Sequence, residues 1–205
     1  MLYTLGFAAA GYLSGSVLYA NVFSRLLNKP DMLEKSRDGN PGTANAFMYG
    51  GFACGVLTLL FDILKGFLPV FLFMQFGGQE RTEALPAALV MAAPVVGHGF
   101  SVFNRFRGGK GIAVTFGCLI GLLPIWLPLV IFAVAFVLLS VIFRVNPHYY
   151  RTFTAYTGSA AAMIILGVGL VICTAFIIMT ACVCIKLFTS SEQKERLRVR
   201  LLWMH

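Results

Sequence analysis

Apolar residues run almost unbroken along this chain, in stretches parted by short polar segments rich in glycine and proline. Residues 1–27 form the first stretch. No basic segment precedes it, so it reads as a first membrane span rather than a cleaved leader. Residues 28–45 are polar, contain Pro30 and Pro41, and read as a loop. Residues 46–76 are apolar except for Asp62 and Lys65, 77–83 make a polar turn, and 84–103 are a clean span. Residues 104–111 are basic and glycine-rich. Residues 112–143 would make a helix of about 48 Å against a hydrocarbon core of about 30 Å. Pro124 and Pro128 in the middle of that run predict two helices and a turn instead. Residues 144–151 are the next polar break. Residues 152–188 again exceed one span, and Gly167-Val168-Gly169 offers the turn. The pattern predicts an all-α polytopic membrane bundle of seven transmembrane helices. Five spans would keep both ends in place but leave two helices over-long.

Composition agrees. Of 205 residues, 59% are hydrophobic and 12% charged, with a mean hydropathy of +0.83. Soluble domains run near 45–50% and about 25%, so this surface is built for a solvent other than water. A barrel would show alternating segments, whereas these apolar runs are continuous. The net charge of +8 could suggest nucleic acid, but in a membrane protein the placement of charge decides more than its total. Of the 16 lysines and arginines, all but Arg81 and Lys65 fall on one side of the seven-span division. That asymmetry predicts an outside N-terminus, a cytoplasmic C-terminus and basic loops facing the cytoplasm. The expected organisation is one membrane-embedded domain over residues 1–188 and a basic tail over 189–205. The tail reads as a surface helix drawn to anionic headgroups, without chemistry of its own. The five cysteines lie inside apolar runs and lack the spacing of a metal site, so no metal is expected on them.

Three features exceed what anchoring requires. Arg37-Asp38-Gly39-Asn40-Pro41-Gly42-Thr43-Ala44-Asn45 carries strong turn chemistry. It reads either as a connector or as a backbone nest for an anion, with Asn side chains beside it. Arg107-Gly108-Gly109-Lys110-Gly111 opens directly into a helix near Ile112. Glycines admit a close ligand, the helix N-terminus presents free N–H groups, and Lys110 adds a point charge for a phosphate oxygen. A basic loop obeying the positive-inside rule is the plainer reading. Asp62 and Lys65, three apart inside a span, share a helix face, either as a site or as a structural ion pair. His98, between Gly97 and Gly99, could act as donor or base, or simply pack.

In order and spacing, Gly15-Ser16, Gly39-Asn40-Pro41-Gly42 with Asn45, Asp62-x-x-Lys65-Gly66, and Gly97-His98 with Phe103 and Gly108-Gly109-Lys110-Gly111 resemble the bacterial acyl-phosphate:glycerol-3-phosphate acyltransferases over about residues 11–120. The resemblance implies a seven-helix inner-membrane enzyme with its site on the cytoplasmic side. It would transfer a fatty acyl group from acyl phosphate to the 1-hydroxyl of glycerol 3-phosphate, for phospholipid synthesis, with no metal or other cofactor. The implied catalytic residues are Lys110, His98 and Asp38. Gly39, Asn40, Gly42, Thr43, Asn45, Asp62, Lys65, Arg107, Gly108, Gly109 and Gly111 would bind substrate. The implied partners are the two substrates and membrane lipid, with no nucleic acid, and the chain would act as a monomer. Several positions depart from the family pattern. Asp38 stands where a serine is usual, Thr43-Ala44-Asn45 replaces Ala-Thr-Asn, Met48 replaces a basic residue, and the C-terminal His-x-x-Asn-Ile-x-Arg-Leu is missing from residues 186–202. The alternative reading is a non-catalytic or transporting membrane protein that binds phosphorylated lipid or another anion.

Overall fold

The computed structural model describes residues 2–29, 32–36, 39–190 and 196–201, with the side chains of Leu2 and Leu33 excepted. Ten α-helices carry the fold among the described residues: α1 Leu2–Ser16, α2 Tyr19–Leu26, α3 Met32–Lys35, α4 Thr43–Gly50, α5 Phe52–Phe76, α6 Ala84–Gly99, α7 Ile112–Ile120, α8 Leu127–Val137, α9 His148–Ile165 and α10 Leu170–Thr189. Phe52–Phe76, Ala84–Asn104 and Leu170–Thr189 are long and apolar enough to cross a membrane. The middle one is the hub: 67% of its apolar window is buried, against 39% and 44% for the other two. α1 and α10 pack on it, and α7 packs on α5.

The proline pair and the glycine pair divide the two over-long runs as expected, between α7 and α8 and between α9 and α10. Three expectations need correction. The first apolar stretch is not one helix but two, parted at Val17 and Leu18. A freed carbonyl inside a bilayer needs a donor, and Lys65 supplies one to Val17 O at 2.6 Å. The loop over 28–45 is partly helical, since α3 lies within it and α4 starts at Thr43; Gly51, at φ 88°, then separates α4 from α5. Residues 196–201 of the tail are not a surface helix. Arg198 exchanges two backbone hydrogen bonds with Asn146, at 2.9 and 2.8 Å, because the turn before α9 presents an open N–H and C=O. The tail segment 191–195 and residues 202–205 lie outside the described residues.

Close helix crossings come from small residues, as lipid supplies no hydrophobic drive between helices. A Cβ on Gly15 of α1 would overlap the Pro94 backbone of α6, and one on Gly97 of α6 would overlap the Tyr12 carbonyl of α1. Side chains lock the same crossing: Tyr12 Oη donates to Phe100 O at 2.7 Å and Ser101 Oγ to Ser16 O at 2.6 Å. Gly15→Val drives a branched side chain into backbone that cannot yield, with an expected cost of about 3 kcal/mol, the upper end for overpacking. The check is the thermal midpoint in detergent, and an unchanged midpoint would remove this crossing from the account. On the other side, Phe132 is fully buried, with the rings of Phe116, Tyr156 and Phe176 at 4.8, 4.9 and 5.3 Å. Tyr156 and Thr115 share a 2.7 Å hydrogen bond that fixes α7 to α9. The start of α7 is thereby held from both flanks.

Candidate active site

The basic glycine bend folds back onto the end of α6. Arg105 and Phe106, at φ 51° and 59°, reverse the chain, and Asn104 Nδ2 closes the turn on Arg107 O at 2.8 Å. Gly109 N then donates to His98 O at 3.0 Å. A Cβ on Gly108 would overlap that carbonyl, and one on Gly109 would overlap His98 Nε2 and lie 2.9 Å from Asn40 Oδ1. Only glycine fits between the imidazole and the first loop. Gly111 at φ 74° turns the chain into α7, whose first-turn N–H groups have no acceptor inside the helix. Lys110 is buried to 8% exposure at this junction.

The first loop meets the bend through Asn40. Gly42 N and Asn45 Nδ2 both donate to Asn40 O, at 2.8 and 2.9 Å. Asn45 is therefore buried in holding the loop and lines neither cavity described below. Thr43 Oγ1 donates to Asp62 Oδ2 at 3.4 Å. Asp38, together with Arg37, lies outside the described residues.

Asp62 and Lys65 form the i,i+3 pair that their spacing suggests, at 2.7 Å and almost wholly buried. Lys65 Nζ has two further acceptors, Val17 O at 2.6 Å and His98 Nδ1 at 2.9 Å, and lies 5.4 Å from the Tyr19 ring centroid. These groups hold Lys65 inside the protein, and it lines neither cavity. Because His98 Nδ1 accepts from Lys65, the ring proton sits on Nε2, the edge turned toward Gly109.

Two cavities open at this junction. A polar one of about 430 Å³ is lined by Gly39, Asn40, Arg107, Gly108, Gly109, Lys110, Lys186, Thr189 and Ser190. A second, of about 390 Å³, has apolar walls from Phe47, Leu59, Val114, Phe116 and Phe136. It also takes in Gly42, Thr43, Asp62, His98, Gly111, His148 and Arg151. Both cavities include Asn40 and Lys110. Thus the two glycine-bearing bends, far apart in sequence, converge on one place.

Among the polar lining residues, six are not singled out by the sequence: Lys186, Thr189 and Ser190 at the end of α10, His148 and Arg151 at the start of α9, and Ser140. The only signal was their place beside apolar runs, which the positive-inside pattern explains equally well.

Known proteins sharpen the picture. Over 119 residues the chain is 43% identical to a glycerol-3-phosphate acyltransferase of Cupriavidus taiwanensis, covering 58% of each protein. Over 179 residues it is 34% identical to one of Ralstonia pickettii, covering 82% of this chain and 85% of the relative. The match thus spans a little over half the length of the Cupriavidus relative and most of the Ralstonia one. The fold matches the crystal structure of PlsY (YgiH), an integral membrane glycerol 3-phosphate acyltransferase, in its glycerol 3-phosphate form. The TM-score is 0.74 at 24% identity, over 89% of this chain and 87% of that one. The lysophosphatidic acid form of the same protein matches with a TM-score of 0.72. A family model described as glycerol-3-phosphate acyltransferase matches residues 5–198, nearly the whole length, and the chain belongs to that family.

Proposed function

We propose that the chain transfers a fatty acyl group from acyl phosphate to the 1-hydroxyl of glycerol 3-phosphate. The hydroxyl oxygen bonds to the acyl carbon, the bond from that carbon to the phosphate oxygen breaks, and the hydroxyl proton leaves on the released phosphate. Lysophosphatidic acid and phosphate are the products. The observation that carries this reading is the meeting of a cation-lined polar cavity and an apolar-walled one at Asn40 and Lys110. A soluble phosphorylated acceptor suits the first, and a donor with a phosphate head and a greasy tail suits the second.

An acyl phosphate is a mixed anhydride and already activated, so the protein need only align the reactants and stabilise charge. Lys110 and the N–H groups opening α7 face the donor phosphate. His98 Nε2–H is a hydrogen-bond donor for oxygen that gains negative charge. Asp62, paired with Lys65 and accepting from Thr43, borders the apolar-walled cavity. No cofactor is required. In this reading the chain spans the membrane seven times, as α1 with α2, then α5 to α10 in turn, with its N-terminus outside and the site at the cytoplasmic leaflet. The basic bends bearing Arg105, Arg107 and Lys110, and the Lys186 end of α10, support that orientation. One membrane-embedded domain covers residues 1–188 in this reading, and the basic tail over 189–205 starts with Thr189 and Ser190, which border the polar cavity.

The test is purified protein in detergent with palmitoyl phosphate and labelled glycerol 3-phosphate. Lysophosphatidic acid should appear in step with released phosphate. No product, where the Ralstonia pickettii relative turns over in the same preparation, would favour binding or transport without catalysis.

A further inference from the structure

Arg196-Leu197-Arg198-Val199-Arg200-Leu201 alternates basic and apolar residues, the period of an extended strand rather than of a helix. A chain end is ordered only where something ties it down, and here main chain is tied to main chain. Arg198 N donates to Asn146 O at 2.8 Å, and Asn146 N donates back to Arg198 O at 2.9 Å. Arg200 N donates to Phe143 O at 3.2 Å. The C-terminal side-chain motif usual in the family is missing from this stretch, and the tail reaches the turn over 143–147 through its backbone. That turn parts three residues that line the apolar-walled cavity: Ser140 before it, His148 and Arg151 after it. None of the three lines the polar cavity. His148 Nδ1 and Thr152 Oγ1 lie 2.9 Å apart, so the imidazole moves with the first turn of α9. The rings of Tyr149 and Phe153 each lie 6.1 Å from that of Phe188 on α10. Ring packing sets the distance between the two helices, and the hydrogen bonds, being directional, set the orientation of the turn.

We infer that the tail is a positioning strap for the acyl donor. The main-chain N–H groups of Arg198 and Arg200 hold the turn before α9, so that Ser140, His148 and Arg151 keep the apolar-walled cavity in the shape that seats acyl phosphate. Arg198 and Arg200 are thus positioning residues, acting through Asn146 and Phe143 and by backbone rather than by charge. A small displacement of such a wall is costly, because alignment is much of what the protein contributes to an activated donor. The effect is one-sided, since the strapped residues border one cavity and not the other. The inference rests on the acyltransferase reading for the identity of the ligand, though not for the hold of the tail on the cavity wall.

The experiment compares full-length wild type with two double variants, Arg198→Pro with Arg200→Pro and Arg198→Ala with Arg200→Ala. Both lose the same two charges, but only the prolines lose the two N–H donors. It measures the KM for each substrate, equilibrium binding of palmitoyl phosphate without acceptor, and the thermal midpoint. With the prolines, palmitoyl phosphate binding should weaken and its KM rise by about 3- to 10-fold, the worth of one net hydrogen bond. The KM for glycerol 3-phosphate should stay within about twofold, and the alanine variant should match wild type throughout. A chain ending at residue 195 should reproduce the proline result, which keeps the test intact if the prolines prevent folding. Alanines as harmful as prolines would assign the effect to charge and overturn the strap. So would a lowered midpoint with palmitoyl phosphate binding and KM unchanged, which is what a merely structural tie gives, or an equal rise in both KM values. Wild type that binds palmitoyl phosphate without turnover, with binding weakened by the prolines, leaves the strap standing and sinks the enzymatic reading. No palmitoyl phosphate binding by wild type overturns both.

Discussion

Replacing Lys110 with alanine is expected to lower kcat/KM by about 10²- to 10³-fold, the range seen when one preorganised partner of a developing anion is removed. The size follows from position. Lys110 lies where the two cavities meet, is 8% exposed, and directly precedes the glycine that turns the chain into α7. Its charge acts in a place largely sheltered from water, where it counts for more than at a surface. Because it borders both cavities, the loss should appear with either substrate varied. Lys110→Arg should recover little. A guanidinium is wider than an ammonium, and the neighbouring glycines are already pressed against His98, Asn40 and Val95. Circular dichroism and the thermal midpoint should stay near wild type, as the residue lies in a loop and not at a helix crossing. A kcat/KM within about threefold of wild type would remove Lys110 from the chemistry.

What sequence alone makes legible here follows from where each constraint resides. Breaks caused by local chemistry are readable: Pro124 lies in the turn after α7, Pro128 sits in the first turn of α8, and Gly167 with Gly169 parts α9 from α10, since each restricts or frees its own backbone. The break at Val17 is not readable, because apolar residues continue through it and its compensation, Lys65 Nζ, comes from another helix. The same division runs through the site. The Asp62–Lys65 pair follows from a spacing of three, but the third and fourth members of that cluster, His98 and Val17, come from α6 and from the break after α1. Asn45 looks like a ligand residue from its place in an Asn-rich loop, yet it is spent on the Asn40 carbonyl. Lys186 carries the opposite lesson. A lysine closing an apolar helix is what membrane topology alone would demand, so nothing in the pattern distinguishes it from an anchor. Only the approach of α10 to α6 at Gly99 brings it to the cavity.

His98 allows the sharpest separation of chemistry from packing, because its two nitrogens have different duties. Nδ1 accepts from Lys65 at 2.9 Å, and Nε2 faces the bend at Gly109. Asparagine places its amide near the position of Nδ1 and has nothing at Nε2; glutamine reaches the Nε2 position but leaves Nδ1 vacant. His98→Asn is therefore expected to keep the Lys65 contact and a near-normal thermal midpoint while kcat falls by about 10²- to 10³-fold. His98→Gln should do the reverse. Leaving one proton of the buried Lys65 ammonium unpartnered costs about 1–3 kcal/mol of stability, while an N–H donor near the substrate holds the loss of kcat to about tenfold. A general base would give another pattern, since neither amide can accept a proton at neutral pH and both variants would be equally inactive. A purely structural histidine would give a third, with His98→Asn stable and active. Nitrogen-15 spectra of labelled histidine add an independent reading: the donor role requires the proton on Nε2 in the resting protein. Substituting Lys65→Met together with Asp62→Leu, so that neither buried charge is left alone, should release that preference and lower kcat without touching either cavity's cations.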